Sequence, residues 1–276
     1  VTLAVDCSNF TDPLTPDAVQ ALKAAGVEVV IVQAVDPPPG FPAGVTRNQI
    51  QACLDGGLTV DAYVWLWFDL DVTDTQRKLG LLSGLTIRQL WLDVEDTAAV
   101  KYDQATCEAK VTAALVECDA FVTTSGEKTG IYSGRWFWAD RRYMGNSNAF
   151  ADRELWDANY DQVADAAVGF VPYGGWRDAR IKQFRGTTSV GGVGGLDLNV
   201  LSDGEAAELG QPSDPPTTPD PCAAIASDRD GLVSAIGFIG GDLLKPVAKQ
   251  KASSSAVRNL VNGIRTVADQ HGIAHS

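Results

Sequence analysis

The chain has 276 residues, 45% of them hydrophobic and 21% charged, an ordinary globular composition with room for one large core and a small appendage. Its formal net charge of −13 excludes nucleic acid as a partner, because phosphates demand a basic footprint. No apolar run approaches the roughly 20 residues of a membrane-spanning helix, and no basic stretch followed by an apolar one opens the chain, so no membrane partner and no export signal are read.

The first two-thirds alternates short β-rich runs with amphipathic stretches, the pattern of a parallel α/β sheet. Strands are expected at 2–8 (TLAVDCS), 27–35 (VEVVIVQAV), 59–68 (TVDAYVWLWF) and 87–95 (IRQLWLDVE). Helices fall between them at 15–26, with Thr15 as N-cap, at 46–57 and at 74–84, each stopping at glycine. A longer helix near 103–122 precedes a fifth strand at 128–134. The helical signal then weakens, and three more strands are expected at 154–161, 179–186 and 195–202, joined mostly by loops. SVGGVGG (189–195) has no Lys-Ser/Thr and no helix start, so it is no phosphate loop and reads as a flexible loop before the eighth strand. Eight strands with helices after the earlier ones predict an α/β barrel of the TIM-like type whose final third is simplified.

From Gly210 the composition turns to proline, serine, threonine and aspartate (GQPSDPPTTPDPC). The domains expected are a barrel over 1–209, a stiff extended linker over 210–222 and a two-helix segment over 223–276. The last carries apolar stripes at Leu232, Ile236, Ile239 and Leu243 and at Val257, Leu260, Val261, Ile264 and Val267. A helix pair this small is expected to pack on itself, on the barrel, or on copies of itself, the last giving a homo-oligomer.

The five cysteines, Cys7, Cys53, Cys107, Cys118 and Cys222, show no zinc spacing and no C-x-x-C pair. Cys107 and Cys118 on one helix stand roughly 16 Å apart, too far for a disulfide. Buried thiols in a protein made in a reducing cytoplasm are expected. The two histidines, His271 and His275, both lie in the last six residues. The body of the protein is therefore unsuited to Ser-His or Cys-His nucleophilic catalysis and to His-ligated zinc. No metal and no cofactor are expected, and any chemistry must rest on carboxylates, amides and aromatics.

Side chains alternate faces along a strand, so in RQLWLDVEDTAAV (88–100) Trp91, Asp93 and Glu95 share one face, opposite Leu92 and Val94. In β/α barrels the working face lies at the C-terminal ends of the strands. Asp6 ends the first strand there, Asp93 and Glu95 end the fourth, and Asp197 lies in the eighth. Asp93 and Glu95 alone are also explained by a solvated strand end; four converging acids in a histidine-free body point instead to glycoside hydrolysis. That chemistry needs one protonated acid for the leaving oxygen and ionised carboxylates for an oxocarbenium-like transition state. Tyr63, Trp65 and Trp67 alternate along one face of the third strand, and Tyr132, Trp156 and Tyr160 sit on the fifth and sixth. Core packing accounts for any one of them; together on the acid-bearing face they make sugar-stacking walls.

The blocks LAVDCSNF, LWLDVED, GIYSGRWFW, LWDANYD and IKQFRGTTSVGGVGGLDLNVL, in that order, resemble glycoside hydrolase family 25, the Chalaropsis-type lysozymes, over residues 2–202. The resemblance implies a flattened barrel of five helices and eight strands, (β/α)5(β)3, with the small helical C-terminal segment as an appendage. It also implies cleavage of the β-1,4 bond from N-acetylmuramic acid to N-acetylglucosamine in peptidoglycan glycan strands. Carried over by motif, Glu95 is the general acid. Asp93 is its partner, either orienting the substrate 2-acetamido group as internal nucleophile or stabilising the cationic intermediate. Asp6 and Asp197 are the outer acids. Tyr63, Tyr132, Trp156, Tyr160 and Gln183 fall where the family lines its groove. Two blocks depart from the pattern: VQAVDPP stands where the family has Lys-Ala-Thr-Glu-Gly, and AYVWLWF where an aromatic-His-Phe pattern is common, which suggests a modified glycan. The expected role is bacterial cell-wall lysis by a secreted or phage-borne muramidase, such as an endolysin. The competing reading is a non-catalytic glycan-binding or structural virion module on the same barrel.

Overall fold

The computed structural model describes residues 1–35, 45–122 and 128–209. The expected linker, Cys222, the two C-terminal helices and any assembly through them lie outside the described residues.

Eight strands close in sequence order into one barrel: β1 (Leu3–Cys7), β2 (Val27–Gln33), β3 (Thr59–Trp65), β4 (Leu90–Asp93), β5 (Gly130–Ser133), β6 (Leu155–Ala158), β7 (Ile181–Val190) and β8 (Val193–Leu201). Parallel neighbours need a crossover. The first four crossovers carry α1 (Pro16–Ala24), α2 (Val45–Asp55), α3 (Val72–Leu82) and α4 (Gln104–Val122), and the fifth a four-residue α5 (Arg135–Trp138). β1 to β7 pair in parallel, whereas β8 runs antiparallel to both β7 and β1. This is the simplified (β/α)5(β)3 arrangement. A short α6 (Asp203–Leu209) follows β8. Thr15 caps α1 as expected, its hydroxyl accepting from Ala18 N at 3.2 Å.

Period-2 alternation splits the core in two. Outward residues such as Val5, Val30, Val64 and Leu92 pack under the helices, while Ala4, Ile31, Tyr63, Trp91, Tyr132 and Trp156 fill the lumen. Gly130 leaves room for this filling, since a Cβ there would stand 2.3 Å from the Trp91 ring. Cys7, Cys53, Cys107 and Cys118 are buried free thiols, and burial pushes the Cys53 thiol up to about 12. Among the described residues no helix is long and apolar enough to cross a membrane.

Two expectations are corrected. The glycine-rich run before β8 is an ordered hairpin turn rather than a flexible loop. Val190 pairs with Val193 across Gly191 and Gly192, whose φ angles of 58° and 86° fit a two-residue turn that requires positive φ at both positions. A Cβ on Gly191 would also stand 2.6 Å from Ala21 O of α1. Composition signalled flexibility where conformation was being selected. Secondly, β3, β4 and β6 stop at Trp65, Asp93 and Ala158, so Trp67, Glu95 and Tyr160 lie just past the sheet. Glu95 still follows the strand's course: Val94 N donates to Tyr132 O at 2.9 Å, and Ser133 Oγ donates to Val94 O at 2.7 Å.

Candidate active site

The strand register builds a belt at the C-terminal mouth of the barrel. Asp6 lies opposite Asp197, Gln33 opposite Tyr63, Trp65 opposite Asp93, Asp93 opposite Tyr132, Tyr132 opposite Trp156, and Gln183 opposite Asn199. Above the belt opens a cleft of about 410 Å³. Asp6, Asp93, Glu95 and Asp197 all line it, as do Tyr63, Trp65, Tyr132, Trp156, Tyr160 and Gln183.

Gln183 is the hub of the polar network. Its Oε1 accepts from Tyr132 Oη at 2.8 Å and Tyr160 Oη at 2.7 Å, which turns its Nε2 toward Asp6 Oδ2 (2.7 Å) and Asp197 Oδ2 (3.2 Å). Asn199 repeats the device, accepting from Trp156 Nε1 at 2.8 Å and donating to Asp6 Oδ2 at 2.8 Å. Asp197 Oδ1 accepts the Thr187 amide at 2.5 Å. Thr187 reaches that position at φ 43°, a left-handed conformation that costs a β-branched residue on the order of 1–3 kcal/mol.

Burial and mutual repulsion govern the acids. Asp6 is pushed up to about 7 by burial and then by Asp197, against the hydrogen bonds from Asn199 and Gln183. Glu95 is likewise pushed up to about 7 by burial and then by Asp197. Asp93 is raised well above the ordinary carboxyl range by burial, then by Glu95 and Asp6, with Lys78 opposing. Asp197 is raised by burial, with the Thr187 amide opposing. Four carboxylates in one low-dielectric mouth cannot all stay ionised near neutrality, so the cluster holds transferable protons.

The aromatics divide by exposure. Trp156 is 1% exposed and packs edge-on against Tyr63, Trp91 and Tyr132, with centroids 5.9, 5.9 and 4.5 Å away. It and the buried Tyr63 and Tyr132 form a floor rather than stacking walls. Open ring faces belong to Trp67 (45% exposed), Tyr160 (48%) and Phe10 (85%), with Trp65 tilted 45° against Trp67 at 5.5 Å.

Sequence reasoning missed Gln33, Asn199, Phe10 and Lys78 at the cleft. Gln33 and Asn199 were accessible by alternation, two residues beyond the lumen-facing Ile31 and Asp197. Lys78 was not, because it reaches the mouth from a helix. Three lining residues also carry buried polar atoms without a hydrogen-bond partner: Gln33 Oε1, Trp65 Nε1 and Asp93 Oδ1. Buried polar atoms are normally hydrogen-bonded to protein or to ordered water, and these three make no such bond to another protein group. Among the described residues no group of three or more His, Cys, Asp or Glu side chains is arranged to hold a metal ion.

The family model described as Lys-1, Lysozyme-like protein 1, matches residues 1–184. The protein named Probable GH family 25 lysozyme 3 of Dictyostelium discoideum is 28% identical over 200 residues, which is 71% of this chain and 40% of that protein. Counting factor 50 of the same organism is 27% identical over 209 residues, 73% of this chain and 67% of that protein. This chain thus spans well under half the length of the first of these relatives. The crystal structure of the bacterial lysozyme from Streptomyces coelicolor superposes with a TM-score of 0.59 at 16% identity, over 75% of this chain and 94% of that one. At that identity the likeness is one of fold.

Proposed function

This chain belongs to the lysozyme-like family of glycoside hydrolase family 25, and on that premise we propose that its barrel is a peptidoglycan hydrolase cleaving the β-1,4 bond between N-acetylmuramic acid and N-acetylglucosamine. One observation carries the reading: Glu95, partly exposed and holding its proton up to about 7, lines the same cleft as the buried Asp93, Asp6 and Asp197. Glu95 donates its proton to the glycosidic oxygen as the bond to the anomeric carbon breaks. Asp93 meets the developing positive charge, directly or by orienting the substrate 2-acetamido group that attacks it. The Glu95 carboxylate then takes a proton from water, which adds to the anomeric carbon and restores the acid. Gln183 and Asn199 hold Asp6 in place, and Trp67, Tyr160 and Phe10 offer rings to the sugar faces.

Mass spectrometry of digested peptidoglycan is expected to find muramic acid at the new reducing ends; reducing-end glucosamine would assign the other bond. Asp93 and Glu95 are two strand positions apart, roughly 6.6 Å between Cα atoms, within side-chain reach of the ~5–5.5 Å separation of retaining pairs. Products are therefore expected to appear first as the β-anomer by proton NMR, and initial α-anomer would exclude this mechanism.

A non-catalytic glycan-binding module is the second reading, favoured by the similarity to Counting factor 50, whose name is not that of an enzyme. The intact acid cluster supports catalysis, and turbidity of purified walls separates the two. The site of action we assign is the bacterial wall, reached by secretion or on a phage. Catalysis is assigned to 1–209, with 210–222 as linker and 223–276 assembling copies so that several barrels engage one polymer. Light scattering is expected to find the full chain oligomeric at micromolar concentration, and a monomer removes the assembly role.

A further inference from the structure

Three open rings line the cleft, and a fourth lies outside it: Trp136 of α5, 50% exposed. Tryptophan is highly buried on average, and it is enriched among the residues that anchor binding partners. This one has a built seat. Gly134 follows β5 in an extended conformation (φ −113°, ψ 151°), so the alternation that turns Tyr132 into the lumen turns Gly134 the same way. A Cβ on Gly134 would stand 2.5 Å from both Cδ1 and Nε1 of Trp136 and 3.2 Å from Ala158 O. The indole therefore covers the place where a side chain at 134 would project, on the mouth side of the barrel. Phe137 and Tyr143 meet it edge to face, with centroids 5.6 and 6.5 Å away, which fixes the ring while half of it stays open.

Strand register sets what lies beside that seat. Asp93 pairs with Tyr132, and Val94 N, which donates to Tyr132 O at 2.9 Å, carries the pairing past the end of β4. Two residues beyond Asp93, Glu95 comes level with Gly134. On the other flank Ser133 pairs with Asp157, which brings Gly134 level with Ala158, two residues before Tyr160. On β5 the level of Asp93 is filled by the buried Tyr132, and the level of Glu95 is covered by the Trp136 indole. The proton of a general acid goes to the oxygen that departs with the leaving sugar, so a ring face at the acid's level meets the leaving side of the glycan. We propose that Trp136 is a further sugar-binding subsite, its open indole face stacking on the departing N-acetylglucosamine ring. This rests on the glycosidase reading of the cleft and extends it to a residue beyond the cleft's own lining.

The test uses the full chain carrying Glu95→Gln, so that no bond is cut, and a tetrasaccharide of alternating N-acetylglucosamine and N-acetylmuramic acid whose third sugar lies on the leaving side of the susceptible bond. Calorimetric titration is expected to show that adding Trp136→Ala weakens tetrasaccharide binding by roughly tenfold. Trp136→Tyr keeps a ring and is expected to stay within about threefold. In the parent Glu95→Gln chain, nuclear Overhauser contacts are expected from the Trp136 indole protons to the ring protons of the third sugar. Affinity unmoved by Trp136→Ala overturns the proposal. So does a merely structural Trp136, which would weaken binding on truncation yet show no Overhauser contact to any sugar, and so do contacts confined to the first two sugars. Should Trp136→Ala fail to fold, the Overhauser contacts decide alone: contacts to the third sugar support the subsite, and their absence overturns it. A wild-type chain that hydrolyses no wall would defeat the glycosidase reading, yet the titration and the Overhauser contacts would still report whether Trp136 holds glycan.

Discussion

Glu95→Gln is expected to cut peptidoglycan hydrolysis by about 10²- to 10⁴-fold while making the barrel more stable above pH 7. Both effects have one cause. The amide keeps the volume of the side chain and removes the transferable proton, so the leaving oxygen departs unprotonated. The carboxyl it replaces is raised from 4.5 to about 7 in the folded state, so between those values the folded chain binds a proton that the unfolded chain releases. Such a group supports the fold fully below its unfolded pKa and loses that support as pH rises through the folded one. The shift corresponds to about 3 kcal/mol at most, at 1.36 kcal/mol per unit. Urea denaturation at pH 8 is expected to show the variant more stable by roughly 1–3 kcal/mol, with no difference at pH 4. Residual activity within tenfold of wild type would sink the general-acid assignment. An equal stability gain at both pH values would locate the cause in packing instead of ionisation.

The same residues show what a sequence displays and what it hides. LWLDVED displays a shared face for Trp91, Asp93 and Glu95, because side-chain alternation is a property of the strand alone. Strand order then places Asp6 beside Asp197, which the β1–β8 register realises directly. Burial is another matter. Trp156 looks like a stacking wall from its place beside the acids, but whether an aromatic ring covers a ligand or fills a barrel depends on what neighbouring strands leave room for. Gly130 on β5 makes room for Trp91, on which Trp156 then rests. Gln183 was legible as a lining residue; its hub role depends on two phenols from β5 and the end of β6 turning its amide. Thr187 is hidden most completely, since nothing in its residue type suggests a left-handed backbone.

Arg88→Met is expected to destabilise the fold by about 3–5 kcal/mol at pH 8, the usual cost of leaving a buried charge without its partner, and to leave the cleft's chemistry almost untouched. Arg88 sits just before β4, at the opposite end of the barrel from the acids. Its Nε donates to Asp61 Oδ1 at 2.9 Å and its Nη2 to Asp61 Oδ2 at 2.6 Å, while Nη1 pairs with Glu205 of α6. Asp61 is wholly buried in the lumen, and without Arg88 it would keep only neutral donors, the Trp91 indole N–H at 3.2 Å and the Gln89 backbone. Glu205 keeps Arg180, at 3.1 Å, so the damage concentrates on Asp61. Burial already raises Asp61 above the ordinary carboxyl range despite Arg88, and removing the guanidinium raises it further. A carboxyl raised in the folded state costs stability as pH rises, so the deficit is expected to be largest at pH 8 and to shrink steadily toward pH 4 as Asp61 takes up a proton. Urea midpoints across that range measure it, and a deficit independent of pH would assign the loss to packing of the methionine. Activity per folded molecule at 25 °C is expected to stay within about twofold, because Trp91 and Trp156 fill the lumen between the two ends and keep their contacts. A tenfold fall would mean that Asp61, through Trp91, Trp156 and Asn199, sets the position of Asp6, making the barrel's two ends one coupled network.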